Sequence, residues 1–173
     1  DKCYLGNYDD NDKNESACYL PRLLNINKNI VNTHKHCDTC KQSYELYDRC
    51  IYQRVMYHGR SYKRRDSINS YTIAYHDING NIRFGYIEYF INCKCGVRVK
   101  ISELKKQYSF LFHLKKSKYY DILSSVLDYF FTVVDETTAA FDIDTEQVWR
   151  KCIIYPVGRY HVITPLLTTF EHD

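Results

Sequence analysis

The residues best suited to chemistry crowd into one short stretch, Thr33-His-Lys-His-Cys-Asp-Thr-Cys40. It holds His34, His36, Cys37 and Cys40, and Cys50 follows a little further on. A Cys-x-x-Cys step sets two thiolates on one tight knuckle, the arrangement a tetrahedral zinc site uses. Such a site needs four ligands. The nearest set is His34 or His36 with Cys37, Cys40 and Cys50, and Cys93-x-Cys95 could supply the second half instead. Zinc is the expected cofactor. The full complement is Cys3, Cys18, Cys37, Cys40, Cys50, Cys93, Cys95 and Cys152, and it is also compatible with reduced thiols inside a cell or disulfides outside one. A thioredoxin-type role is not expected, because the motif lacks the strand before it and the helix after it.

No catalytic constellation accompanies the knuckle. The chain has no phosphate-cradling glycine loop, no Gly-x-Ser-x-Gly elbow and no His-Glu-x-x-His pattern. His58, His76, His113 and His161 fall at strand ends or in loops, and Asp121, Asp128, Asp135, Asp142 and Asp144 are scattered. Their ordinary roles are packing, solvation and capping. Enzyme activity is therefore not expected of this segment, and no small-molecule substrate is indicated. A chain that begins at Asp1 reads as a fragment or a processed product, so a catalytic domain can lie elsewhere in its parent. No apolar run approaches the roughly 20 residues that span a bilayer; the longest, Val126 to Val134, is broken by Asp128. No membrane partner is expected.

The elements that must hold these residues read mainly as β-strands. From Tyr52 to Ile101 the chain looks like a meander of β-branched and aromatic runs cut by His58-Gly59, Asn79-Gly80 and Cys95-Gly96. Ile82 to Ile91 is apolar on both faces, as a central strand is, and Gly85 within it suggests a bulge or a sharp bend. Lys41 to Arg49 reads as a short helix with Tyr44 and Tyr47 on one face. Phe110 to Leu114 reads as a strand, Lys115 to Lys118 as an exposed loop, Asp121 to Leu127 as a helical turn and Tyr129 to Asp135 as a strand. Glu136 to Asp142 reads as loop. Asp144-Thr-Glu-Gln147 opens a short helix, and Cys152 to Thr164 closes the chain as a hairpin. The fold class expected is mainly β: a small, partly open, SH3-like β-barrel with one or two short helices and an N-terminal zinc knuckle. Residues 1–47 form a loop-rich segment and 48–173 the barrel.

Charge is distributed unevenly. Residues 48–118 hold fifteen Lys/Arg against five Asp/Glu, for +10, while residues 119–173 hold three against nine, for −6. A basic block of this kind fits a nucleic-acid or other polyanion surface. The other reading is that the acidic C-terminal third packs on it and neutralises it. For the first, Arg60, Lys63, Arg64, Arg65, Arg98, Lys100, Lys105 and Lys106 would contact phosphates, with Tyr62 and Tyr71 packing nearby, positioning a duplex without reading its sequence.

Two strands carry a family resemblance. Arg64-Arg-Asp-Ser-Ile-Asn-Ser-Tyr-Thr-Ile-Ala-Tyr75 and Gly80-x-x-x-Phe84-Gly-Tyr-Ile-Glu-Tyr-Phe90 are followed by matching elements at Thr145 to Ile154 and Tyr160 to Pro165. Together they resemble the region after the catalytic domain of DNA-transposon proteins of the En/Spm (CACTA) type. The resemblance spans about residues 50–170. It implies a non-catalytic accessory domain, an SH3-like or BAH-like barrel that touches DNA or chromatin in the nucleus. The alternative is an extracellular, disulfide-bonded binding module, favoured by the even cysteine count and the sequon Asn14-Glu-Ser16.

Overall fold

The strand Ile82–Cys93, β5, is where the sheet closes on itself. The structure is a computed structural model, and it describes residues 20–26, 37, 40–62, 70–107, 115–158 and 160–166. Before β5 come β1 (Arg22–Ile26), β2 (Glu45–Tyr52), β3 (Val55–His58) and β4 (Thr72–His76). After it come β6 (Gly96–Lys106), α1 (Tyr120–Phe130), β7 (Thr132–Asp144), a 3₁₀ turn (Thr145–Gln147), β8 (Val148–Val157) and β9 (Tyr160–Pro165). The order β5-β4-β8-β9-β7-β6 returns to β5 through the β5–β6 pairing, which makes a closed six-strand antiparallel barrel. The expected barrel is therefore present, but its ring is closed rather than partly open.

β5 can do this because each stretch of it has a different neighbour. Its ladder with β6 runs from Phe84↔Leu104 to Cys93↔Gly96. It pairs with β4 at Ile82–Tyr86 and with β2 at Phe90–Asn92. The ladder with β6 shifts register between Ile87 and Tyr89, so Glu88 is an added residue that bends the strand. The bend expected at Gly85 thus falls three residues later. Gly85 serves close approach instead: a Cβ there would lie 2.9 Å from the Ser102 carbonyl oxygen.

Two apolar clusters explain why β5 is buried on both faces. One takes Ala74, Phe84, Tyr86, Leu104, Val134, Cys152 and Ile163, at least one residue from every ring strand, and fills the ring. The other brings Cys50, Tyr52, Val55 and Tyr57 of the β2–β3 hairpin onto Ile73, Tyr75, Ile87, Phe90, Val99, Ile101, Ile143 and Val148. Each fully buried aliphatic side chain of this size contributes about 1.5–3 kcal/mol of transfer free energy. The hairpin is thus a second layer on the outside of the barrel.

Several local expectations change. Lys41 to Arg49 is not a helix, since Glu45 onward is strand and Leu46, Cys50 and Tyr52 bury one face with a period of two. The run Tyr52 to Tyr57 is a hairpin, turned by Gln53 and Arg54 at φ 51° and 66°. Both lie where a two-residue turn of the I′ kind needs them, without the usual Asn or Gly. Tyr129 and Phe130 end α1 rather than starting a strand. Glu136 to Asp142 belongs to β7, with surplus residues between Glu136 and Ala140 taken up in a bulge where the Thr137 hydroxyl donates to the Glu103 carbonyl at 3.0 Å. The helix after Asp144 is a single 3₁₀ turn, closed by the Asp144 N–H donating to Gln147 Oε1 at 2.9 Å. The strand expected at Phe110 to Leu114, the sequon at Asn14, and Cys3 and Cys18 lie outside the described residues. No helix among the described residues is long and apolar enough to cross a membrane.

Candidate metal centre

Two cysteine knuckles meet at one end of β5. The first holds Cys37 and Cys40. It is folded by the Lys41 N–H donating to the Cys37 carbonyl at 2.8 Å and the Cys37 N–H donating to the Gln42 carbonyl at 2.9 Å. The second is the β5–β6 hairpin, where Cys93 pairs with Gly96 and Lys94-Cys95 form the loop. The residue after the second cysteine has positive φ in both, 56° at Lys41 and 120° at Gly96. That conformation lets the chain turn away while both sulfurs of a knuckle face the same side.

The four sulfurs of Cys37, Cys40, Cys93 and Cys95 all lie within 4.8 Å of one another. Cys95 Sγ is 3.1 Å from Cys93 Sγ and 3.4 Å from Cys37 Sγ. A tetrahedral ion with metal–sulfur bonds of about 2.3 Å places its sulfurs about 3.8 Å apart, a value inside this range. The six described cysteines are thiols, with no disulfide among them. Crowding also disfavours a lone thiolate. Sharing hydrogen bonds with Cys93, Cys37 and Cys40 pushes the Cys95 thiol up to about 12, whereas a coordinated cation inverts that balance and deprotonates the set. Lys41 and Lys94, both exposed, sit in the two knuckles and offset part of the negative charge that four thiolates bring. Four protein ligands leave no open position for water or substrate, the property of a structural rather than a catalytic site.

The four-cysteine cluster therefore differs from the nearest set in sequence. Cys37 and Cys40 are in it, and Cys93-x-Cys95 supplies the other half. Cys50 is not. It is fully buried in the outer apolar layer, where desolvation pushes its thiol up to about 12. His34 and His36 lie outside the described residues. The signal for the second half was the Cys-x-Cys-Gly turn itself, since a glycine after the second cysteine supplies the positive φ a knuckle needs.

The basic set is divided by the fold. Arg60 approaches Glu88 at 3.8 Å and Glu136 at 3.6 Å and lies over the Tyr86 ring. Arg98 pairs with Asp144 at 3.5 Å and with Asp142 at 4.0 Å, and Lys100 Nζ pairs with Asp142 at 3.1 Å. Lys105 and Lys106 are exposed at the end of β6, Lys105 standing opposite Asp135 in the ladder. Lys63, Arg64 and Arg65 lie outside the described residues. Tyr62 packs its ring at 4.9 Å from His58 under the Arg49 guanidinium, and Tyr71 meets Tyr86 edge-on at 5.5 Å. Of the two readings of the charge asymmetry, neutralisation by the acidic third describes Arg60, Arg98 and Lys100.

No protein-family model, curated protein or solved structure matches this chain.

Proposed function

We propose that this chain is a non-catalytic binding module, a barrel clipped by a structural zinc ion on Cys37, Cys40, Cys93 and Cys95. The convergence of two knuckles from distant parts of the chain carries the reading: four sulfurs within 4.8 Å form one group, not two separate pairs. All-sulfur, four-coordinate sites suit zinc among the common divalent ions. The buried nucleophiles support the non-catalytic part. Cys50, Cys152 and Tyr57 are each held protonated by desolvation. Elemental analysis of the reduced chain tests the site: the expectation is one zinc per chain, lost in Cys40→Ser and retained in Cys50→Ala. A chain without metal, or one whose metal depends on Cys50, overturns it.

The partner in this reading is nucleic acid or chromatin, which makes the module a nuclear accessory domain of SH3-like or BAH-like character. Its support is the exposed lysine series Lys105, Lys106, Lys116 and Lys118, together with the pairing of the two transposon-like motifs as the neighbouring strands β4 and β5. Binding would be electrostatic, strongly salt-dependent and indifferent to sequence. Absence of DNA affinity at low salt would remove this partner while leaving the metal site standing.

A further inference from the structure

The four sulfurs differ in how well the fold shelters them. Cys37 and Cys93 are buried and Cys40 is half-buried, whereas Cys95 is exposed in the hairpin loop. Cys95 also lies beside other sulfurs of the cluster, 3.1 Å from Cys93 and 3.4 Å from Cys37. An accessible thiolate with a resolving thiolate beside it is the arrangement that channels oxidation into a disulfide rather than into higher oxides. Cys93 and Cys95 belong to one hairpin, so a bond between them spends two ligands from one side of the cluster. The partner knuckle is then left with Cys37 and Cys40 alone.

Resting on the zinc reading above, we infer that the cluster is a redox-sensitive clip, opened by a peroxide through a Cys93–Cys95 disulfide. The Cys95 thiolate attacks one peroxide oxygen, the O–O bond breaks, and the departing hydroxide takes a proton to become water. The Cys93 thiolate then attacks the sulfur of the Cys95 sulfenic acid. The S–S bond forms, the S–O bond breaks, and a second water leaves after protonation. Two thiolates have given two electrons to the peroxide, and zinc stays divalent throughout. Two ligands cannot hold the ion, so it dissociates and the Cys37–Cys40 knuckle separates from the β5–β6 hairpin.

The test uses the full reduced chain in its zinc-loaded form, titrated with hydrogen peroxide. Released zinc is followed with a chromogenic chelator, and disulfides are mapped by peptide mass spectrometry. Zinc release in step with a Cys93–Cys95 disulfide, reversed by dithiothreitol and added zinc, is the expected result. Cys95→His keeps a metal ligand but cannot form the bond, and should hold zinc through the same titration. Cys50→Ala with Cys152→Ala removes the core thiols and should release zinc as the parent chain does. Zinc retained by the parent chain in excess peroxide overturns the inference. So does release accompanied by a Cys37–Cys95 bond, or release from Cys95→His as ready as from the parent. A reduced chain that never carried zinc fails at the first measurement, and then it is the zinc reading that falls.

Discussion

Lys100 Nζ lies 3.1 Å from Asp142 Oδ1, directly across the β6–β7 ladder, and the next pair along, Arg98 and Asp144, faces in the same way. Two cations spaced two residues apart on one strand meet two acids spaced two apart on the next, which is how opposite charges pair across a sheet. Both cations are partly exposed, so each pair stabilises the fold by no more than about 0–1 kcal/mol. Their larger effect is to withdraw positive charge from the surface.

A salt titration of DNA binding separates these cations from the exposed ones. Lys105→Gln with Lys106→Gln should weaken binding and flatten the dependence of log affinity on log salt by about 2, since each lost phosphate contact removes about 0.9 from the slope. Arg98→Gln with Lys100→Gln should leave the slope nearly unchanged. Equal effects from the two double variants would show that the ion pairs open on binding.

Removing the metal should loosen one corner of the molecule and leave the ring folded. The six ring strands close through their own ladders without help from the knuckles. With a chelator present, circular dichroism should retain its strand signal while the melting temperature falls. Free zinc at 100 times its dissociation constant should restore about 2.7 kcal/mol. Complete loss of strand signal on chelation would make the metal a requirement for folding.

Gly59 should tolerate no side chain. A Cβ there would lie 2.6 Å from the Glu88 carbonyl oxygen, at the bulge of β5, and the Gly59 N–H already donates to the Asp48 carbonyl. Gly59→Ala must push backbone apart, at a cost of about 1–3 kcal/mol, the usual range for overpacking. Chemical denaturation would show it as a lower midpoint at unchanged slope. Gly80→Ala meets open space but is held at φ 77°, so it should cost about 1 kcal/mol from backbone strain alone.

Asp77 makes stability depend on acid. Its Oδ1 accepts from the Asn79 and Asn81 backbone N–H groups, and its Oδ2 pairs with Arg83 Nε at 3.1 Å. Chiefly through the Asn81 hydrogen bond, its folded pKa falls from 3.8 to about 2. A folded value below the unfolded one means that the contribution is full above the ordinary value of 3.8 and fades as pH drops towards about 2. Stability measured between about pH 5 and 2 should fall more steeply from about pH 4 down to about pH 2 in the parent chain than in Asp77→Asn.

What the sequence disclosed follows from how local each signal was. The turn ending at Asn79-Gly80 and the hairpin from Cys152 to Thr164 are written in neighbouring residues, and both are readable. β2 was not, because its polar face carries Glu45, Tyr47 and Arg49, and Tyr44 and Tyr47 mimic a helical spacing. Its turn, Gln53-Arg54, is held by the ladder with β3 rather than by turn-forming residue types. β7 is cut short because Glu136, Ala139, Ala140 and Asp142 are weak strand formers; the bulge opposite Glu103 takes up the surplus residues. For the four-cysteine cluster, the sequence names Cys37 and Cys40 and leaves Cys50 and Cys93-x-Cys95 as alternatives for the other half. Cys37 and Cys95 are 58 residues apart, and nothing short of the closed sheet decides that Cys93 and Cys95, rather than Cys50, complete the set.

Closure of the ring leaves two strands, among the described residues, laddered on one side only: β1 and β3, each paired with β2. Strand edges are where chains add to one another in swapped dimers and fibrils. In this molecule that hazard belongs to the outer layer, not to the barrel. Asn25, at φ 58° and next to last in β1, interrupts the extended run there and makes the border of β1 a poor template for a further strand.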